Sequence, residues 1–287
     1  MNQIDILDSQ AHLFLTMDEK QALAAMDALG IRSLLIDEYW GLDSQGRPSN
    51  GFDLPGGVRR RVHPSGERAS FEHPDRFSYL VKLTRDDPLV EPLVALAADH
   101  PCVRAVRVDI RSPNELQQLA NGGYGAFFKA LEHHGMPVFL LLAPDSVCAA
   151  RRAFEDHPAL RLVLDHCGMA SSPEKFDDVL AMARYPNAYL KWCHAPSKMS
   201  RQPYPFTDAI VQLQRALDAF GRERVLWASD FTAVRTGYTW AESLFYIRHA
   251  QGLDPQDMAW LLGKTARRLL DWPIAATTAT PTGSTTP

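Results

Sequence analysis

Eight short β-rich runs alternate with longer segments of helical periodicity along this chain. Such alternation is typical of repeated βα units around a parallel sheet, and eight units are the number that closes a TIM barrel. An open, doubly wound sheet would alternate in the same way, but no GxGxxG or GxxxxGK motif follows any run. The sequence therefore predicts an α/β fold, a distorted (β/α)8 barrel forming a single domain over residues 1–273. The predicted strands are Ile4–Asp8, Ser33–Asp37, Phe77–Leu83, Ala105–Ile110, Val138–Leu142, Leu162–Asp165, Ala188–Trp192 and Val225–Ala228.

Two segments depart from this alternation. Residues 39–75 are rich in glycine, proline and arginine and follow the second predicted strand, which predicts a lid-like insertion over the active-site mouth of a barrel. Within it, Arg59, Arg60, Arg61 and His63 either attract an anionic substrate or form a solvated charged face. Residues 274–287 are small and polar, so we expect a disordered C-terminal tail.

The composition limits the classes of molecule that this chain is expected to bind. The chain has 287 residues with 30 basic and 34 acidic side chains, and its net charge of −4 gives no general attraction to nucleic acid or anionic membrane. No apolar run approaches the roughly 20 residues that cross a bilayer, and the polar start does not resemble a signal peptide. We therefore expect a cytoplasmic protein that acts on a small molecule, without nucleic acid or membrane partners, and a homo-oligomer is left open. The four scattered cysteines show no CxxC spacing, so reduced thiols are expected.

Polar residues follow or end several predicted strands. In a barrel the carboxyl ends of all strands face one mouth, so such residues would converge there. A lone histidine after an apolar run is more often structural, and a lone Ser-Asp pair is often a helix N-cap. Three proton-handling groups at three strand ends favour an active site instead. The predicted catalytic residues are His12, His166 and Asp230.

A second group of residues would bind the substrate. It consists of Gln10, Arg107, Lys191, His194 and Tyr204. The cationic members indicate a carboxylated substrate, since arginine offers a planar two-point contact to a carboxylate. Strand parity leaves open whether Arg107 and Lys191 face the pocket or the helices. Tyr204 either walls the substrate or packs its own loop.

Several motifs together resemble a known family. The segments DSQAH, VRAVRVD, LVLDHCGMA, NAYLKWCHAP, QPYPFTDA, VLWASDFTAV and LLGKTARRLL are similar, in order and spacing, to the amidohydrolase-related branch of TIM-barrel hydrolases, over roughly Ile4 to Leu270. The resemblance implies a distorted barrel with its site at the carboxyl ends of the strands. The family includes zinc hydrolases, metal-dependent decarboxylases, and sugar and pyrone lactonases.

The chain departs from the metal-binding pattern that the resemblance implies. Family members that hold a metal typically use HxH after strand one, a histidine after strand five and an aspartate after strand eight. Here Gln10 occupies the first position of HxH, and strand five reads VFLLLAPD, without a histidine. A firm zinc site needs about three imidazole, thiolate or carboxylate donors, which leaves His12, His166 and Asp230 as the ligand set. We expect no required cofactor, with one divalent cation (Zn) as the alternative.

These residues and the resemblance to pyrone dicarboxylate lactonases predict a hydrolase that opens a lactone or related ester of a small anionic acid. Asp230 would take the proton of the attacking water, and His12 and His166 would donate hydrogen bonds to the developing oxyanion. Arg107, Lys191 and His194 would hold a substrate carboxylate. Two alternatives stay open: a metal-dependent amidohydrolase-type hydrolase or decarboxylase of the same fold, and a non-catalytic binding barrel.

Overall fold

Eight parallel strands form the central sheet of the protein. The computed structural model describes residues 4–13, 15–232 and 237–274. The strands are β1 (Ile6–Ala11), β2 (Ile31–Asp37), β5 (Phe77–Lys82), β6 (Val103–Ile110), β7 (Val138–Leu142), β8 (Leu162–Leu164), β9 (Ala188–Trp192) and β10 (Val225–Trp227), hydrogen-bonded in that order. Two further short strands, β3 (Gly51–Asp53) and β4 (Arg59–Arg61), form a separate antiparallel hairpin.

The last strand returns to the first. Ser9 Oγ donates to the carbonyl oxygen of Trp227 at 2.7 Å, and the backbone N–H of Asp230 donates to the carbonyl oxygen of Gln10 at 3.0 Å. The sheet is therefore a nearly closed barrel, as predicted. β1 continues to Ala11, beyond the predicted end at Asp8, so Gln10 lies inside the first strand rather than after it. The pairing of β1 with β2 is irregular between Asp8 and Ala11.

Helices surround the sheet. The first begins with a reciprocal capping box between Asp18 and Gln21 and ends at Gly30, whose φ of 73° is the left-handed conformation that glycine adopts without strain. The helices are Glu19–Leu29, Pro64–Glu72, Val90–Asp99, Pro113–Ala120, Gly125–His133, Arg151–Asp156, Phe176–Leu180, Ala195–Met199, Thr207–Phe220, Trp240–Arg248, Pro255–Ala259 and Thr265–Leu269, with short turns at Val147–Ala150, Asp165–Gly168, Ala181–Arg184, Arg222–Arg224 and Trp260–Lys264. None of the helices in the described part of the chain is long and apolar enough to cross a membrane.

The segment 39–75 contains two different structures. Its first part carries the hairpin β3–β4, and several of its side chains border the cavity described below. Its last part, Pro64–Glu72, is a helix that packs on β5, as expected of a regular βα unit. Only the part before Pro64 is therefore an addition to the barrel, and its action as a lid stays a prediction. The predicted tail, 274–287, lies outside the described residues except for Ile274.

One apolar layer closes the interior of the barrel. It contains one inward side chain from each of seven strands: Leu7, Leu35, Leu80, Ala105, Phe139, Val163 and Leu226, all fully buried. Because side chains alternate along a strand, the residues two positions further on also point inward. In β2, β5 and β6 those residues are Asp37, Lys82 and Arg107, and the position after β8 is Asp165. A charged layer therefore lies directly above the apolar one, at the carboxyl ends of the strands.

Candidate active site

Arg107 is at the centre of the charged layer. Its Nε donates to Asp165 Oδ2 at 2.7 Å, Nη1 donates to Asp37 Oδ2, and Nη2 lies 2.9 Å from Nε2 of His166. The guanidinium is buried between two carboxylates, and although desolvation opposes the charged form, Asp165 and Asp37 raise the pKa of Arg107 above its usual value. Arg107 therefore points into the barrel, a direction that strand parity left open, and the residue is a permanent cation in the site.

Lys191 lies lower in the same layer. Its side chain is fully buried, with Nζ 2.5 Å from Asp165 Oδ1 and hydrogen-bonded to Oε1 of Gln10. The side chain therefore points into the barrel but does not line the cavity, so direct contact with a substrate carboxylate is not available to it. Its ammonium group instead fixes the amide of Gln10, whose Nε2 donates to Asp37 Oδ2 at 3.3 Å.

Three members of this layer, Asp37, Lys82 and Asp165, were missed by the sequence prediction. Asp37 accepts from Arg107 and lies 2.6 Å from Lys82 Nζ, and these cations hold the pKa of Asp37 well below its usual value although burial alone would raise it. Asp37 and Asp165 end predicted strands, and Lys82 lies one residue before the end of another. Asp230 lies two residues beyond a predicted strand, so the same strand-end signal was present. It was overlooked because a single charged residue at a strand end is common.

Asp230 is held between two imidazoles. His12 Nε2 lies 3.0 Å from Asp230 Oδ1, and His194 Nε2 lies 2.8 Å from Oδ2. Burial disfavours a charged carboxylate, but the charge of His12 and the hydrogen bonds from His12 and His194 outweigh it and hold the pKa of Asp230 well below its usual range. Asp230 is therefore ionised at neutral pH. The structure brings His194 to the carboxylate itself rather than to a separate substrate-binding position.

His12 is fixed on both ring nitrogens. Its Nδ1 donates to the backbone carbonyl of Asp37 at 2.5 Å, which leaves Nε2 facing Asp230. Burial lowers the pKa of His12, but the nearby carboxylates of Asp230 and Asp37 exceed that effect and the net shift is upward. The imidazole is thus biased toward the protonated form, with its Nε2 proton directed at Asp230.

His166, in contrast to His12, is biased toward the neutral form. Burial, together with Lys191 and other cations nearby, lowers its pKa well below the usual value, so the ring is neutral. Because Arg107 can only donate to Nε2, the proton of the neutral ring resides on Nδ1. Nδ1 is buried and makes no hydrogen bond with any described residue. A buried donor without a partner is uncommon and calls for an explanation, of which a catalytic role is one.

Asp8 fastens the two strands that carry this machinery. Its carboxylate accepts from the backbone N–H and Oγ of Ser229 at 2.9 and 2.5 Å, from Trp240 Nε1 at 2.8 Å and from the backbone N–H of Gln10 at 3.2 Å. Burial nevertheless raises the pKa of Asp8 to about 6. The contacts tie Gln10 on β1 to the residue that precedes Asp230, so Asp8 positions the site without reaching the cavity.

A cavity of about 880 Å³ opens above the charged layer. It brings together the predicted residues Gln10, His12, Arg107, His166, His194 and Asp230, and it adds Tyr39, Arg61, Lys82, Asp109, Arg111, Glu115 and Lys198 among others. Tyr204 is not among the lining residues: its side chain is 43% exposed and packs edge-on against Phe206. The convergence of polar groups in one large pocket is the usual form of a small-molecule site.

One set of donors near the floor has a spacing suited to a metal ion. His166, Cys193, His194 and Asp230 each offer a ligand atom, and these atoms lie within 4.8 Å of one another among the described residues. The predicted set of His12, His166 and Asp230 differs from it, because His12 contacts the opposite carboxylate oxygen of Asp230 from His194. At the strand-one position, the oxygen of Gln10 is already bonded to Lys191 and is not free to be a ligand.

The amidohydrolase family model matches residues 57–272, more than half of the chain. The chain belongs to this amidohydrolase family. The resemblance found in the motifs is thereby confirmed, and the site at the carboxyl ends of the strands has the position that the resemblance implied. A search of the curated proteins finds no match.

Solved structures of similar fold cover nearly the whole amidohydrolase barrel. A zinc-bound amidohydrolase from Burkholderia multivorans has a TM-score of 0.72 at 16% identity, over 94% of this chain and 100% of that one. A candidate 2-pyrone-4,6-dicarboxylic acid hydrolase from Acinetobacter baumannii with bound citric acid has a TM-score of 0.68 at 13% identity, covering 94% and 100%. A 5-carboxyvanillate decarboxylase from Sphingomonas paucimobilis has a TM-score of 0.63 at 15% identity, covering 93% and 99%. At these identities the likeness concerns the fold.

Proposed function

We propose that this amidohydrolase opens a lactone or related ester of a small anionic acid, with Asp230 as the base and without a required metal. The observation that carries the proposal is the position of Asp230: an ionised, buried carboxylate, held by His12 and His194, at the floor of a large cavity. A base fixed in this way needs no reorganisation before it accepts a proton.

In the proposed step, a water oxygen bonds to the substrate carbonyl carbon while one water proton passes to Asp230. The carbonyl oxygen gains negative charge, which the positive charge of protonated His12 would stabilise together with the Nδ1 proton of neutral His166. The His166 proton has no acceptor among the described residues, whereas the Nε2 proton of His12 is directed at Asp230. The carbon–oxygen bond of the ester then breaks, and the proton that Asp230 accepted is returned to the leaving oxygen. The products are an alcohol or enol and a carboxylic acid, which ionises to the carboxylate by releasing the second water proton to solvent.

The low pKa of Asp230 favours a reactive substrate. A carboxylate that is strongly stabilised as an anion is a weak base, so the driving force for taking a proton from water is small. A lactone or enol ester compensates, because its leaving oxygen is far better than the nitrogen of an amide. The electrostatics of the site therefore support ester opening rather than amide hydrolysis.

The charge of the cavity supports an anionic substrate. Among its lining residues, six are lysine or arginine (Arg61, Lys82, Arg85, Arg107, Arg111 and Lys198) and three are acidic (Asp109, Glu115 and Asp230). A cavity lined mainly by one sign of charge concentrates ligands of the opposite sign. A carboxylated acid of sugar or aromatic catabolism has the size and charge that this pocket accepts.

The test is turnover of purified protein on a panel of carboxylated lactones, with and without chelator, alongside metal analysis of the same preparation. Ring opening that persists after chelation, in protein without stoichiometric metal, is the expected result. Complete absence of turnover on every lactone, with intact fold by circular dichroism, would overturn the proposal.

A second candidate is a metal-dependent hydrolase or decarboxylase, favoured by the donor cluster of His166, Cys193, His194 and Asp230. Those residues would hold a divalent ion, which would polarise a carbonyl or lower the pKa of a bound water. The surrounding charges oppose this candidate, because Arg107 and Lys191 lie nearby and Arg107 donates to His166. Chelator-sensitive release of carbon dioxide from aromatic acids in the same experiments would favour it over the lactonase.

A further inference from the structure

The three consecutive arginines on the hairpin after β2, Arg59, Arg60 and Arg61, differ in their contacts. Arg59 pairs with Asp53 at 3.0 Å, and Arg60 makes a two-point contact with Asp87 at 2.8 and 2.6 Å. Arg61 makes no ion pair with any described residue, and its Nη1 reaches only the amide oxygen of Asn50 at 3.3 Å. Two of the three arginines are therefore ion-paired, while the third has no ion-pair partner among the described residues.

This third arginine, Arg61, lines the cavity above the charged layer. Arg61 is half-buried there, and burial together with the positive charge of Arg59 lowers its pKa. A partly desolvated cation without a carboxylate partner is unfavourable unless a ligand supplies the opposite charge. The hairpin thus holds a donor pair ready for an anion.

Arg61 also lies on a particular side of the cavity. It interacts electrostatically with Asp37, Lys82, Asp109 and Arg111, which belong to β2, β5 and the end of β6. The residues around the proposed base lie elsewhere: Asp230, His166 and His194 follow the ends of β10, β8 and β9, respectively. The cavity is therefore polarised, with proton-transfer groups on one side and Arg61 on the other. Arg111 is already bonded to Asp109 on that side, so it is less available to a ligand.

We propose that Arg61 forms an anion subsite that selects substrates carrying an anionic group remote from the reacting ester. This rests on the proposed function for the identity of the reaction, although anion binding can be measured without turnover. The group recognised is a carboxylate or an anion of similar geometry, since a guanidinium contacts its two oxygens together. The hairpin would then set substrate choice, while the strand ends carry the chemistry.

The test is calorimetric titration of the full chain with citrate at low ionic strength, comparing wild type with Arg61→Gln and Arg61→Lys. Loss of a partly desolvated ion pair should weaken citrate binding roughly tenfold in Arg61→Gln, with a smaller loss in Arg61→Lys. Arg47→Gln is the matched control, because Arg47 belongs to the same segment and pairs with Asp43 and Asp53 outside the cavity.

Kinetics separate this proposal from the proposed function. The enzyme would be assayed with an ester that carries a second carboxylate and with its uncharged analogue. Arg61→Gln should raise the KM for the carboxylated ester and leave the KM for the uncharged analogue unchanged. Equal citrate affinity in wild type and Arg61→Gln, equal losses in Arg61→Gln and Arg47→Gln, or no citrate binding to wild type would each overturn the subsite. Arg61-dependent citrate binding without any turnover would keep the subsite and reject the lactonase.

Discussion

The Nε2 atom of His12 lies 3.0 Å from Oδ1 of Asp230 and joins the end of the first barrel strand to the end of the last. The contact explains both protonation states. The carboxylate stabilises the protonated imidazole, and the imidazole stabilises the ionised carboxylate, so one proton is held between two strands that close the barrel. The proposed chemistry depends on this pair.

Removal of the base is the first prediction. Asp230→Asn keeps the shape of the side chain but cannot accept the proton of water, so kcat should fall by roughly 10² to 10⁴-fold. Asp218→Asn is the control, because Asp218 is an exposed residue of the helix Thr207–Phe220 and contacts only Gln214 among the described hydrogen bonds. Steady-state kinetics on the best lactone would measure both, and turnover of Asp230→Asn near the wild-type rate would rule out the proposed base.

The second prediction concerns pH. The pKa of His12 is raised, so its donating form persists above pH 6.5 and is lost as pH rises through the shifted pKa. The pKa of Asp230 is low and His166 stays neutral, so neither produces a loss between pH 5 and 7. We expect kcat/KM to be level over that range and to fall on the alkaline side.

His12→Gln tests the assignment of that pH dependence. The variant lacks the titrating group, so its lower kcat/KM should show no alkaline decrease at the wild-type position. The measurement is a kcat/KM profile for both proteins with buffers of constant ionic strength. An unchanged alkaline limb in His12→Gln would assign the titration to another group.

The eight strands could be predicted from sequence, but neither the apolar layer nor the charged layer above it could. Eight β-rich runs were enough to predict the barrel and to place His12, His166 and Asp230 at one mouth. The inward direction of Arg107 and Lys191 depends on strand register, and a shift of one residue would turn both side chains toward the helices. Register is fixed by packing of the whole barrel, which no single segment specifies.

The pairing of His194 with Asp230 was also beyond the sequence. His194 adopts a left-handed backbone conformation, with φ of 57°, just after β9, and Asp230 does the same after β10, with φ of 43°. These turns set the directions of the side chains, yet neither contains the glycine that would signal such a conformation. The hydrophobic pattern predicts where strands end and gives no information about the turn that follows.

The third prediction is about stability. Lys191→Met removes a fully buried cation whose partners, Asp165 and Gln10, remain. Leaving a buried carboxylate with fewer partners should lower the free energy of unfolding by on the order of 3 kcal/mol. Lys129→Met is the control, since Lys129 is exposed on a helix. Urea denaturation would compare the two, and equal stabilities would show that Lys191 is not required to neutralise the layer.

The last prediction follows from the buried carboxylate of Asp8. Burial raises its pKa from 3.8 to about 6, against the opposing effect of hydrogen bonds from Ser229, Gln10 and Trp240. The native state therefore holds the Asp8 proton more tightly than the unfolded chain.

The contribution of Asp8 to stability is fully present below pH 3.8, decreases as pH rises to about 6, and is constant above that value. Asp8→Asn carries no titrating group, so the stability of wild type relative to this variant should fall by about 2 kcal/mol between pH 4 and 7. Urea denaturation at a series of pH values would measure the difference, with Asp218→Asn as the control for loss of an exposed carboxylate. A difference that does not change with pH would mean that Asp8 is ionised throughout, because its four hydrogen bonds then outweigh its burial.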